Sequence, residues 1–93
     1  MSNVLSPSAI QSQLTSLPDW TLEGNSIQTI LTFRDFIEAI SFINKVVAPS
    51  EAAGHHPDIT ISYNRVTIRL TTHDAGGLTQ KDFNLAKTLS QLA

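Results

Sequence analysis

Cysteine is absent from the 93 residues, which removes disulfides, thiolate metal ligands and a thiol nucleophile together. A basic excess is missing too. Six Lys plus Arg stand against eight Asp plus Glu, a formal charge of −2, so no phosphate-holding surface is expected and nucleic acid is not a direct partner. No run approaches the ~20 apolar residues of a membrane span. Residues 1–12 carry neither the basic start nor the apolar stretch of a secretory signal, so the expectation is a cytoplasmic protein with no membrane partner. Gly76-Gly77 lacks the spacing and the following Lys-Ser/Thr of a phosphate loop, and no serine stands in a nucleophile elbow. What is left is one domain, residues 1–93, whose short chain buries only about two thirds of its unfolded surface and would gain from association.

The order of residues carries the information. Ser6-Pro7 reads as a helix N-cap with proline in the first turn, and Ile10, Leu14 and Leu17 give that helix an apolar stripe before Leu17-Pro18 stops it. Trp20-Thr21-Leu22 opens a strand, Gly24-Asn25 turns it, and Ile27, Thr29, Leu31 and Phe33 alternate along a second. From Asp35 the period becomes helical. Phe36, Ile37, Ile40, Ile43 and Val47 fall on one stripe, with Pro49 expected to end or kink the helix and Gly54 to cap it. Ile59, Ile61, Tyr63 and then Val66, Ile68, Leu70 alternate on either side of Asn64-Arg65, which predicts a hairpin turning at those two residues. In that register Tyr63 faces Val66, Ile61 faces Ile68, Ile59 faces Leu70 and His56 faces His73, and the Tyr63 ring is buried. After Gly76-Gly77, Thr79 and Asp82 have the spacing of a capping box, and Phe83, Leu85, Ala86, Leu89 and Leu92 supply the buried side of a last helix. The expected fold is α+β: a four-stranded antiparallel sheet with three helices packed on one face, in the order α-β-β-α-β-β-α, forming a two-layer sandwich.

All three histidines fall in two short segments, Gly54-His55-His56-Pro57 and Thr71-Thr72-His73-Asp74, which the predicted hairpin brings together. Taken singly, each reads as a solvated loop histidine. Three converging imidazoles, a side chain whose ordinary pKa of about 6.5 lets it give and take protons near neutrality, suit general acid/base work. Zinc is the competitor. His55 and His56 are adjacent and so point to opposite sides of an extended chain, and only Asp58 or Asp74 stands nearby as a carboxylate, so no metal is expected. Asp82 reads as a helix cap, Glu51 as a solvated carboxylate at a helix end and Trp20 as a packing residue.

The spaced set Glu51, His55-His56-Pro57, Tyr63, His73 and Asp82, with Thr72-His73-Asp74, Gly76-Gly77-Leu78-Thr79 and Trp20 around it, resembles the signature of the pterin-4a-carbinolamine dehydratases over nearly the whole chain. The resemblance implies a hydro-lyase that removes water from 4a-hydroxytetrahydropterin to give quinonoid dihydropterin in tetrahydrobiopterin recycling, with the pterin as substrate and no cofactor. It implies His55, His56 and His73 as the acid/base residues, and Asp82 as the residue that orients or tunes a histidine. It also implies a substrate pocket of Gly54, His55, His56, Pro57, Thr71, Thr72, His73 and Asp74, with Trp20 bordering the pterin. For assembly it implies homodimers or homotetramers, and Pro49 departs from the family's unbroken main helix. Some relatives are dimerisation partners of a homeodomain transcription factor, so a non-catalytic pterin-binding or protein-partner module of the same fold is the alternative. A metal-dependent protein of the same shape is a further one.

Overall fold

Ser6 accepts the Ala9 N–H at 3.2 Å and Pro7 takes the first turn, which starts α1 (Pro7–Leu14) where the sequence places it. The computed structural model describes residues 3–93. A hairpin follows, β1 (Thr21–Glu23) and β2 (Ser26–Thr32), then α2 (Phe36–Ala53), a second hairpin of β3 (Asp58–Ser62) and β4 (Arg65–Leu70), a 3-10 turn (His73–Ala75) and α3 (Gln80–Leu92). The sheet is antiparallel throughout, in the order β1-β2-β4-β3. Ile27, Thr29 and Leu31 pair with Leu70, Ile68 and Val66, so the alternation of β2 and β4 turns one apolar face toward the helices. Phe83, Leu85, Ala86 and Leu89 of α3 fill that face together with Ala39, Phe42 and Val46 of α2. Among the described residues no helix is long and apolar enough to cross a membrane.

Three expectations are corrected. Pro49 does not end α2, which runs on through Ser50-Glu51-Ala52-Ala53 to the Gly54 cap with the proline inside it. The ring costs the Lys45 carbonyl its intrahelical donor, but Val46 and Ser50 on either side are buried, and their packing holds the helix through the defect. The same helix presents a different stripe to the sheet from the one its bulkiest residues suggest. It buries Ala39, Phe42, Val46 and Ser50, with Ile43 of the expected stripe packed against the core, while Phe36, Val47 and Ile37, the last 76 % exposed, stay in solvent. Both stripes have helical spacing, and the buried one carries the small residues Ala39 and Ser50 beside Phe42 and Val46.

The third correction is the register of the second hairpin. Ser62 pairs with Arg65, Ile61 with Val66 and Ile59 with Ile68, so Tyr63-Asn64 is the turn and the ladder has slid by two residues. An even slip preserves the face, which is why the apolar side of β4 is unchanged. The Asn64 amide donates to the Phe33 carbonyl at 2.8 Å and the Asn64 carbonyl accepts the Phe33 N–H at 2.8 Å. That clasp fixes Asn64 against the end of β2, and Tyr63 adopts φ 53, the residue being 65 % exposed. Tyr63→Ala is therefore expected to change the unfolding free energy by less than about 0.5 kcal/mol in denaturant titration. A buried ring would cost about 3 kcal/mol or more.

The ladder between β3 and β4 begins at Asp58↔Arg69. The segments entering β3 and leaving β4 thus emerge side by side at one end of the sheet, and they carry all three histidines.

Candidate active site

Gly54 ends α2 in the left-handed region, φ 61 and ψ 33, where a side chain is strained. Its N–H donates to the Glu51 carbonyl at 3.2 Å and the His55 N–H to the Ser50 carbonyl at 3.1 Å, so two of the last four carbonyls of the helix are satisfied. The turn sends the two following imidazoles to different environments. The His55 side chain is 11 % exposed, and the His56 side chain is largely in solvent.

After β4 the chain folds back on Thr72. The Thr72 carbonyl accepts the N–H groups of Gly76 at 3.0 Å and Gly77 at 3.3 Å, and the Thr72 N–H donates to the Gly77 carbonyl at 3.1 Å. Gly76, at φ 76, supplies the reversal that closes the His73–Ala75 turn. His73 and Asp74 project from this tight loop and are exposed.

Asp82 lies beneath both segments, fully buried. Its Oδ2 accepts the Thr79 N–H at 2.9 Å, closing the first turn of α3 as the capping spacing predicts, and also accepts the Thr72 hydroxyl at 2.8 Å. Its Oδ1 meets His55 Nε2 at 2.6 Å. Three donors converge on a carboxyl group at the positive end of a helix, an arrangement that satisfies a buried acceptor well. His56 Nε2 meets Glu51 Oε2 at 2.5 Å, but both side chains are about two-thirds exposed and the pair contributes little stability. Glu51 is the solvated carboxylate at the end of α2 that the sequence suggests, and in addition it meets His56.

A solvent-open pocket of about 250 Å³ forms between the two segments. Gly54, His55 and His56 line one side, and Thr71, Thr72, His73 and Asp74 the other, so the structure gathers these seven sequence candidates in one place. Lys81 also lines it and was missed from sequence. The available signal was its place beside Asp82 at the start of α3. A groove of about 370 Å³ continues from the pocket, sharing Thr72, Asp74 and Lys81. Two candidates lie elsewhere. Pro57 lines a separate apolar groove with Val47 and Ile59, bordered by His56. Trp20 is buried in the core, where its Nε1–H donates to Ser90 Oγ at 2.8 Å beside a small cavity of about 30 Å³.

Among the described residues no three His, Asp or Glu side chains gather as a metal-ligand set. His55 and His56 are held by different carboxylates. Chemically the pocket offers imidazoles of unlike surroundings: one anchored by a buried aspartate, one by a surface glutamate and one, His73, without a hydrogen bond among the described residues. Such a set can donate and accept protons on a bound heterocycle at more than one position.

Comparison with known proteins agrees with this geometry. A protein of Cyanothece sp., provisionally named as a pterin-4-alpha-carbinolamine dehydratase, is 63 % identical over 93 residues, covering 100 % of this chain and 96 % of its own. A similarly named protein of Nostoc sp. is 63 % identical over 92 residues, 99 % of either chain. The crystal structure described as a transcriptional coactivator/pterin dehydratase from Brucella melitensis superposes with a TM-score of 0.93 at 31 % identity, covering 98 % of this chain and 99 % of that one. A pterin dehydratase-like RuBisCO assembly factor of the alpha-carboxysome has a TM-score of 0.64 at 21 % identity over 80 % of this chain and 86 % of that one, a likeness of fold alone. The profile of the family described as pterin 4 alpha carbinolamine dehydratase matches residues 3–92. With both histidine segments and the capping aspartate inside that match, the chain belongs to the pterin-4-alpha-carbinolamine dehydratase family.

Proposed function

We propose that this protein is a 4a-hydroxytetrahydropterin dehydratase, a hydro-lyase that serves the recycling of tetrahydropterin. The observation that carries the reading is the pocket in which His55, backed by buried Asp82, shares one wall space with His56 and faces His73 across the opening segments. Loss of water from the carbinolamine breaks the C4a–O bond. An acid protonates the departing hydroxyl, a base takes the N5 proton, and the N5–H electron pair becomes the new C4a=N5 double bond. The products are one water and one quinonoid dihydropterin. One acid and one base complete this without a change of redox state. His55 and His73 are proposed for these two roles, His56 for holding the pterin or sharing the base role, and the pocket walls at Gly54, Thr71 and Asp74 for contacts to the ring. The exposed apolar stripe of α2, Phe36, Ile37 and Val47, supports association of the chain into homodimers or homotetramers.

The test is the rate at which purified protein converts freshly generated 4a-hydroxytetrahydropterin to quinonoid dihydropterin, followed by ultraviolet absorbance against the spontaneous reaction. Acceleration is the expected result. A folded protein that gives none would support the second reading, a pterin-binding or protein-partner module, which the name of the Brucella structure and the uncovered stripe of α2 favour.

A further inference from the structure

The hydroxyls of the two threonines beside the pocket are engaged by each other and by Asp82. The Thr72 hydroxyl has one proton, and it lies on Asp82 Oδ2 at 2.8 Å. The Thr72 and Thr79 oxygens are also 2.8 Å apart, so the proton between them comes from Thr79 and Thr72 accepts it. The direction of the chain is then set: Thr79 donates to Thr72, Thr72 donates to Asp82, and Asp82 accepts from His55 Nε2 at 2.6 Å. The Thr79 N–H, donating to Oδ2 at 2.9 Å, braces the same carboxyl from the helix end. An acceptor at Nε2 places the imidazole proton there, and Nδ1, which has no partner among the described residues, keeps its lone pair for the pocket that His55 lines.

We infer that Thr72 is a positioning residue, not a substrate ligand through its hydroxyl: with Thr79 behind it, it holds Asp82 so that His55 works through Nδ1. Thr72 suits the task because its backbone is itself tied on both sides, by three hydrogen bonds to Gly76 and Gly77. The reach from the capping residue of α3 to the imidazole is a run of short polar contacts in a place closed to water at its centre, since Asp82 is fully buried. The inference deepens the dehydratase reading in assigning the working nitrogen, and rests on it for the word "works". The hydrogen-bond chain itself does not depend on what the pocket binds.

The experiment is nitrogen-15 NMR of the histidine side chains in the full chain at a pH where the imidazoles are neutral, on wild type, Thr72→Val and Thr72→Ser, with dehydration kinetics on the same samples. Wild type is expected to show His55 as the single Nε2–H form with a slowly exchanging ring proton. Thr72→Val, which keeps the shape and removes the hydroxyl, is expected to speed that exchange about tenfold and to lower kcat about tenfold with KM within about twofold. Thr72→Ser restores both, which a loss of packing alone would not produce. A wild-type proton on Nδ1, or a Thr72→Val protein whose His55 signals match wild type, overturns the inference. If Thr72→Val does not fold, the wild-type form of His55 and the exchange rate in Thr79→Val decide in its place. If the His55 signals behave as expected while wild type accelerates nothing, the positioning chain stands and the dehydratase reading falls.

Discussion

His55→Ala lowers kcat for dehydration by about 10²- to 10⁴-fold, the range set by removing one positioned acid or base. The same substitution has a second effect, because it strips Asp82 Oδ1 of its partner in a site where that oxygen cannot reach water. An unsatisfied buried acceptor costs about 1–3 kcal/mol, so the variant is also less stable. His55→Gln separates the two. Its amide can donate to Asp82 and recover part of the stability, but it transfers no proton, and activity stays at the alanine level. His73→Ala is the complementary case. The His73 ring is exposed and makes no hydrogen bond among the described residues, so the variant keeps its thermal midpoint while losing activity over the same range. Stopped-flow absorbance with a parallel thermal melt reads both quantities. Wild-type rates in both alanine variants would remove the acid/base assignment while leaving family membership untouched.

Asp82→Ala has the largest effect on stability expected of any single polar change. Three donors lose their acceptor at once: the Thr79 N–H, the Thr72 hydroxyl and His55 Nε2–H. The first of these is Asp82's half of the capping box on α3. At about 1 kcal/mol or more for each loss the total is about 3 kcal/mol, which for a domain of this size corresponds to a fall in Tm of about 12–24 °C. Asp82→Asn divides the contributions. One side-chain oxygen still accepts from the helix N-terminus, so most of the stability remains. The amide nitrogen can instead face His55 and reverse which ring nitrogen holds the proton, and activity falls nearly as far as in His55→Ala. A variant with the Asn substitution that melted and reacted like wild type would show that Asp82 neither caps the helix nor sets the imidazole.

Much of this was legible in the sequence, and the reasons differ by element. Alternation in β4 is strict, β2 follows it apart from buried Thr29 and exposed Ile30, and both are interior strands, so their faces are read directly. Ser6-Pro7 and Thr79 with Asp82 are local signals whose partners lie within one helical turn, and they begin α1 and α3 as expected. Two apolar stripes share α2, and the bulkier one does not mark the inward face, because the stripe that packs inward includes the small residues Ala39 and Ser50. From sequence Asn64-Arg65 reads as the turn because Asn tolerates positive φ. In the fold a contact 31 residues distant, Asn64 to Phe33, claims Asn64 and displaces that conformation onto Tyr63. At the site, the histidine segments are contiguous motifs and were visible. Lys81 was not, because it joins the pocket only through the packing of α3 against the loop after β4, and the bond between Glu51 and His56 depends on the αL turn at Gly54.

The double duty of Asp82 ties local unfolding to function. One carboxyl group both closes the opening turn of α3 and orients the imidazole, so fraying of a single helical turn and disarming of the pocket are the same microscopic event. Openings of that size occur at free energies well below global unfolding. Heat inactivation should therefore run ahead of the loss of helical signal, and a ligand that grips His55 should slow amide exchange in the first residues of α3, on elements it never touches.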